Sequence, residues 1–302
     1  MAGRKRKGKI VAVIIVAVIL IAAGIVTYFV KNGREDVYNQ TGITQSSDPD
    51  KMYVHFIDVN QGDSAVIICN GKTILVDGGE YAELQNVAYY LKNLNIKRLD
   101  LVIATHPHSD HIGSLGSLLK MFKVGDIIMP DVPEKLIPTS TAYEKFLQAA
   151  AFAENVIAAQ PGEVYTYGDM NIRIFGPVSD YYDLNNESVV AKVSYGETSV
   201  MMCGDAEKIA EADILKNKFD FSADIIKMGH HGSRDASSDE WLKAVNPKFA
   251  VISCGQNNEY GHPHKETVKK LDKLKIQYFR TDLLGDIVFV SDGKEFSRVT
   301  KK

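Results

Sequence analysis

Thr105-His106-Pro107-His108-Ser109-Asp110-His111 sets three imidazoles and a carboxylate directly after the short, mostly apolar run Leu99–Ala104. Such a run, stopping at a Pro-containing loop, reads as a buried strand, and side chains at a strand mouth can converge on one point. Neutral imidazole with carboxylate suits a borderline divalent cation such as zinc. A solvated surface loop is the alternative, but three of the 8 histidines fall here, and two more junctions repeat the chemistry. Cys203-Gly204-Asp205 closes a second apolar run, and Ile225-Ile226-Lys227-Met228-Gly229-His230-His231-Gly232-Ser233 runs from a strand into a histidine pair. Alone, Asp205 reads as a helix N-cap and His230-His231 as a polar turn. Together, three distant strand ends bearing His or Asp describe one site assembled by a fold. The strands must be ordered so that these ends meet.

The chain ahead of that fold has a different character. Arg4-Lys5-Arg6-Lys7-Gly8-Lys9 precedes an uncharged run of 21 residues, Ile10 to Val30. At ~1.5 Å per residue this run spans the ~30 Å hydrocarbon core of a bilayer. It is also longer than the apolar stretch of a cleavable signal, and Ala22-Ala23-Gly24 lies inside it rather than after it. Residues 1–9 are therefore expected to be a cytoplasmic basic tail and 10–30 a single transmembrane anchor. By the positive-inside rule, everything beyond lies outside the cytoplasm. Residues 31–51 lack periodicity and read as a flexible linker. The first six basic residues all precede Arg34 and no acidic residue does, so setting them aside takes the net charge from −3 to −9. An acidic domain is a poor grip for a long nucleic-acid backbone, although a metal site still attracts phosphate.

Residues 52–302 form the expected folded domain. Strand-like runs at 52–59, 65–69 and 73–76, with Asn70-Gly71 as a hairpin turn, lead to Asp77-Gly78-Gly79 and a helix over 82–93. The strand 99–104, the histidine loop, a helix from His111 to about Phe122, a strand over 126–129 and a helix over 139–155 follow. A second β-rich block at 163–166, 170–175, 188–195 and 198–203 passes into alternating helices and strands up to 277–280. A hairpin over 286–299 ends the chain. This order implies two mixed sheets face to face with helices outside. The odd count of Cys69, Cys203 and Cys254 argues against a disulfide framework and for buried thiols, with Cys203 or Cys254 lining the site as the alternative. His55 reads as a core or surface histidine.

A fourth cluster, Tyr260-Gly261-His262-Pro263-His264, offers His262 as a substrate contact or proton donor, while His264 doubles as a helix cap. Here the motifs reach a family. His106-Pro107-His108-Ser109-Asp110-His111 resembles the HxHxDH signature of the metallo-β-lactamase fold, an α/β αββα sandwich. The stretches 56–64, Leu75–Gly79, Lys227–Ser233 and Asn258–His264 resemble the exported domain of ComEC-type competence proteins, over about residues 52–299. The polytopic channel of those proteins has no counterpart here.

The resemblance implies His106 and His108 on one metal, and Asp110, His111 and His231 (or His230) on a second. Asp205 would lie between them, and Asp77 behind the histidine loop as its orienting residue. Either one or two divalent ions are implied, with zinc as first choice and manganese as alternative. Where the family carries a further histidine before the bridging aspartate, this chain has Asn185-Asn186-Glu187-Ser188, leaving the first metal short of a ligand. The expected activity is hydrolysis of a phosphodiester, DNA among them, by metal-activated water. Asp110 and Asp205 would handle the proton, and Lys227, His230 and His262 would contact phosphate or the leaving group. Two alternatives stand beside it: hydrolysis of a small or cell-envelope ester of phosphocholine type, and a non-catalytic metal-binding partner of a DNA-uptake apparatus. Nothing in the pattern sets an oligomeric state.

Overall fold

In the computed structural model, residues 48–300 are described. The expected tail (1–9), the expected membrane span (10–30) and the expected linker up to residue 47 lie outside them. Among the described residues, no helix is long and apolar enough to cross a membrane. Residues 48–299 cluster as one compact unit.

Among the described residues, fifteen strands form two sheets. The first has the order β15-β14-β1-β2-β3-β4-β5-β6, from β1 (Met52–Phe56), β2 (Ala65–Cys69), β3 (Lys72–Val76), β4 (Arg98–Ile103), β5 (Lys123–Met129), β6 (Asn155–Ala158), β14 (Ile287–Ser291) and β15 (Phe296–Val299). The second runs β13-β12-β11-β10-β9-β8-β7, from β7 (Val164–Tyr167), β8 (Met170–Gly176), β9 (Val190–Tyr195), β10 (Thr198–Met202), β11 (Ile225–Lys227), β12 (Phe249–Ile252) and β13 (Gln277–Arg280). Inward side chains of both, among them Val54, Ile67, Ile74, Leu101, Ile172, Val193, Val200 and Val251, share one buried core. Trp241, Leu242 and Val245 of the helix Asp239–Val245 and Leu271 of the helix Lys265–Leu274 cover the outer face of the second sheet. The expected α/β sandwich of two mixed sheets with helices outside is the observed fold.

Each sheet is half antiparallel meander and half parallel array. Strands β3 to β6 run parallel, as do β10 to β13. Parallel neighbours end in register: Val76 pairs with Ile103, Met202 with Lys227 and Lys227 with Val251. Their carboxyl ends therefore open on one edge, where α/β folds bind ligands.

The structure differs from the sequence expectation in two places near this edge. The helix expected over His111–Phe122 is two pieces, Ser109–Ile112 and Leu115–Met121. The break comes where the helical ladder is diverted: the Ser114 N–H donates to the Gly79 carbonyl at 3.0 Å, and the Asp110 carbonyl accepts the Asp63 N–H at 3.0 Å. The helix expected over 139–155 ends at Ala150; residues 151–154 form a turn, and Asn155 opens β6, an exposed edge strand absent from the sequence expectation. Ser140 caps the shorter helix, Thr141–Ala150, by accepting the Tyr143 N–H.

Candidate metal centre

The centre grows from strand ends. Asp77 follows β3, the histidine loop follows β4, Asp205 follows β10 and His230-His231 follow β11. Three of these residues sit in the left-handed region: Asp77 (φ 56°), His230 (φ 49°) and His231 (φ 53°). Consecutive left-handed non-glycine residues are costly and persist where surrounding structure demands them.

Asp77, fully buried, ties the first half together. It accepts the Thr105 N–H at 2.8 Å, the Thr105 hydroxyl at 2.7 Å and His111 Nδ1–H at 2.8 Å. With Nδ1 engaged, His111 Nε2 faces Asp205 Oδ1 at 3.2 Å. Both atoms are buried and neither has a hydrogen-bond partner. Asp205 Oδ2 lies 3.7 Å from His106 Nε2, 3.6 Å from His231 Nε2 and 3.8 Å from His230 Nε2. His106 Nε2 and His108 Nδ1 face each other at 2.9 Å. Asp110 Oδ2 lies 3.1 Å from His231 Nε2.

The spacings about Asp205, 3.2–3.8 Å, fit a metal. Nitrogen and oxygen ligands at ~2.1 Å around a tetrahedral ion stand about 3.4 Å apart, beyond a good hydrogen bond. Two sets of potential ligands lie within 4.8 Å of one another: Asp63, His111, Asp205 and His231, and His106, His108 and Asp205. Asp205 belongs to both, with one oxygen toward His111 and the other toward His106. His230 stands just outside, its Nδ1 3.0 Å from Glu207 Oε1 and its Nε2 turned to Asp205.

Electrostatics divides the histidines. Burial and the His111 charge push His106 well below the ordinary imidazole range, and burial lowers His108. Burial also opposes charge on His111 and His231, yet the surrounding carboxylates win. Asp205, Asp110 and Asp77 hold His111 well above the ordinary value, and Asp205 and Asp63 raise His231 to about 10. Asp205 itself is held well below the carboxylate range against its burial, by His111 and His231. This half of the centre demands positive charge, which is what a cation supplies.

Most residues singled out in the sequence converge here: His106, His108, Asp110, His111, Asp205, His230 and His231, with Asp77 behind them. His262 joins them, its ring 5.4 Å from His230 and 6.1 Å from His231. Burial and the neighbouring histidines lower it to about 4, so it enters as a neutral imidazole. Lys227 departs from expectation. It is 2 % exposed, with Nζ on Asp63 Oδ2 at 2.7 Å and on the Met228 carbonyl at 3.0 Å, so it cannot reach a phosphate at the mouth. Lying at the end of a central strand, it points into the molecule.

Asp63 and Glu207 were not singled out. Burial pushes the Asp63 carboxyl up, but Lys227 and His231 bring it down to about 2. The signal was present in Gly62-Asp63 before a strand, yet its partners lie far away in sequence. Where the family has its further histidine, Ser188 accepts the Asp205 N–H, and Asn185 donates to Glu207. Cys203 and Cys254 are free and buried among apolar side chains, and burial pushes both thiols up to about 12. His264 caps no helix N–H with its ring and accepts the Arg234 N–H instead.

Two facing mixed sheets with a His/Asp centre at their parallel carboxyl ends define a metallo-hydrolase class, and residues 57–256 match the Metallo-beta-lactamase superfamily. The chain belongs to that family. Among its relatives, ComE operon protein 3 of Bacillus subtilis (strain 168) is 33% identical over 258 residues, covering 78% of this chain and 32% of that protein. The chain thus spans about a third of that relative's length. Exodeoxyribonuclease YycJ of Bacillus anthracis is 25% identical over 193 residues, covering 60% of this chain and 68% of its own. The crystal structure of YhfI from Bacillus subtilis, a metallo-beta-lactamase fold protein, superposes with a TM-score of 0.53 at 16% identity. It covers 80% of this chain and 100% of that one.

Proposed function

We propose that this chain is a membrane-tethered, exported, metal-dependent phosphodiesterase of nuclease type. The observation that carries the reading is Asp205, a buried carboxylate that offers one oxygen to the His111 side and the other to the His106 side. His106 and His108 would hold one divalent ion, and Asp110, His111 and His231 a second, with Asp205 shared. Such ions supply hydroxide near neutral pH and offset charge growing on a phosphoryl oxygen. The printed name of the Bacillus anthracis relative, an exodeoxyribonuclease, supports a phosphodiester substrate. The anchor and export rest on residues 1–30 of the sequence.

The chain's own side chains have assignable tasks. Asp110, with about a quarter of its side chain exposed, is the outermost carboxylate of the centre and suits accepting the proton of attacking water. His230, held by Glu207 and partly exposed, faces the mouth and suits contact with a phosphate oxygen. The acidic charge beyond residue 33 favours a second reading, a small or cell-envelope phosphodiester such as a phosphocholine ester.

The purified chain, assayed with single-stranded DNA, bis-p-nitrophenyl phosphate and a phosphocholine ester, separates these. Activity is expected to vanish with chelator and to return with manganese or zinc. DNA cleavage that falls steeply with salt marks the nuclease, since phosphate contacts release counterions. Tight metal with no turnover on any of the three esters overturns both readings.

A further inference from the structure

The Asp63–Lys227 ion pair lies wholly inside the protein and serves neither substrate nor solvent. Asp63 is 6 % exposed, Lys227 2 % and His231 1 %. Asp63 Oδ2 meets Lys227 Nζ at 2.7 Å, and Oδ1 lies at ion-pair distance, 3.2 Å, from His231 Nδ1, whose hydrogen bond goes to the Ser253 carbonyl at 3.1 Å. The Asp63 backbone N–H donates to the Asp110 carbonyl at 3.0 Å. One residue therefore sets its charge behind His231 and holds Asp110 through its backbone. On the other half, a carboxylate also stands behind the ring: Asp77 accepts His111 Nδ1–H at 2.8 Å. A buried pair on a scaffold gains little over an apolar pair of equal size, so stability alone is a weak reason for it. A carboxylate behind a ligand imidazole fixes the ring and strengthens its other nitrogen as a donor.

We propose that Asp63, paired with Lys227, is the positioning residue that sets metal loading at the Asp110/His111/His231 position. The proposal rests on the reading of this centre as a metal site and deepens it. The lysine holds Asp63 in place and offsets its charge, and Asp63 presents His231 with Nε2 toward Asp205.

The test measures stepwise Mn2+ and Zn2+ binding to the full chain in detergent by competition with a chromophoric chelator, beside thermal unfolding in chelator. Asp63→Asn or Lys227→Met alone strands a buried charge and can fail to fold. The double variant Asp63→Asn/Lys227→Met replaces the pair with neutral groups and keeps the question open. It is expected to unfold within a few degrees of wild type and to bind one ion normally and the other about 10- to 100-fold more weakly. Adding His108→Ala, which removes a ligand of the other position, is expected to weaken the remaining step too. Wild-type affinity at both steps in the folded double variant overturns the proposal, as does equal weakening of both. A wild-type chain that binds no ion overturns the metal reading together with it. Two ions in wild type without hydrolysis overturns only the catalytic reading.

Discussion

Substituting Asp77 by asparagine tests how the histidine loop is held. Asp77 accepts three hydrogen bonds of 2.7–2.8 Å, two from Thr105 and one from His111 Nδ1, in a place closed to water. Asparagine keeps one acceptor, which Thr105 N–H can retain, and the Thr105 hydroxyl can rotate to receive the new amide. His111 Nδ1–H cannot face an NH2 group, so the variant disfavours the neutral tautomer that leaves Nε2 bare beside Asp205 Oδ1, 3.2 Å away. The variant therefore loses little stability, about 1 kcal/mol. The disfavoured tautomer is the one a metal at this position would need. Metal affinity is expected to fall about 10- to 100-fold, the usual cost of removing a carboxylate behind a ligand histidine. Asp77→Ala instead strands two buried N–H donors at about 1–3 kcal/mol each. It should lower Tm by about 5–15 °C for a domain of this size. Thermal unfolding in chelator gives the first quantity and chelator competition the second. Wild-type metal affinity in a folded Asp77→Asn variant would refute the reasoning, because orientation of His111 would then not depend on that carboxylate.

Two further tests reach the scaffold. His55 is fully buried against the Tyr90 hydroxyl, and burial lowers it to about 3, from an ordinary 6.5. Below pH 6.5 the unfolded chain takes up a proton that the folded chain refuses, so stability is lost as pH falls toward 3, by up to ~1.4 kcal/mol per pH unit. His55→Gln should be less stable at pH 7 yet decline less steeply between pH 6.5 and 5 in urea unfolding; parallel slopes would contradict this. Gly62 has φ 142°, and a Cβ there would stand 2.4 Å from the Asp110 carbonyl oxygen. Gly62→Ala should cost about 2–4 kcal/mol and weaken metal binding. Gly71→Ala, with nothing within 4 Å of its Cβ, should leave metal binding intact. Equal metal affinities in the two variants would sink the argument.

Much of this protein is legible in its sequence, and what escaped has a physical reason. The order of strand-like runs specifies two mixed sheets, because meanders and βα alternation are local patterns that read out pairing and direction. The residue types at three strand ends are local too, so His106, His108, Asp110, His111, Asp205 and His231 (or His230) could be named as candidate ligands before any fold. The helix break and the edge strand β6 could not, since one is set by hydrogen bonds to Gly79 and Asp63 on other segments and the other by a free sheet edge. Lys227 looked like a phosphate contact because a lysine beside a histidine pair has no visible partner in one dimension. Only the packing of β11 against the loop before β2 brings Asp63 to within 2.7 Å of it, buries the pair and turns the lysine inward. The sequence by itself determined the chemistry offered at the strand ends. The tertiary structure decided which carboxylate stands behind each histidine, because that depends on contacts between segments no local pattern connects.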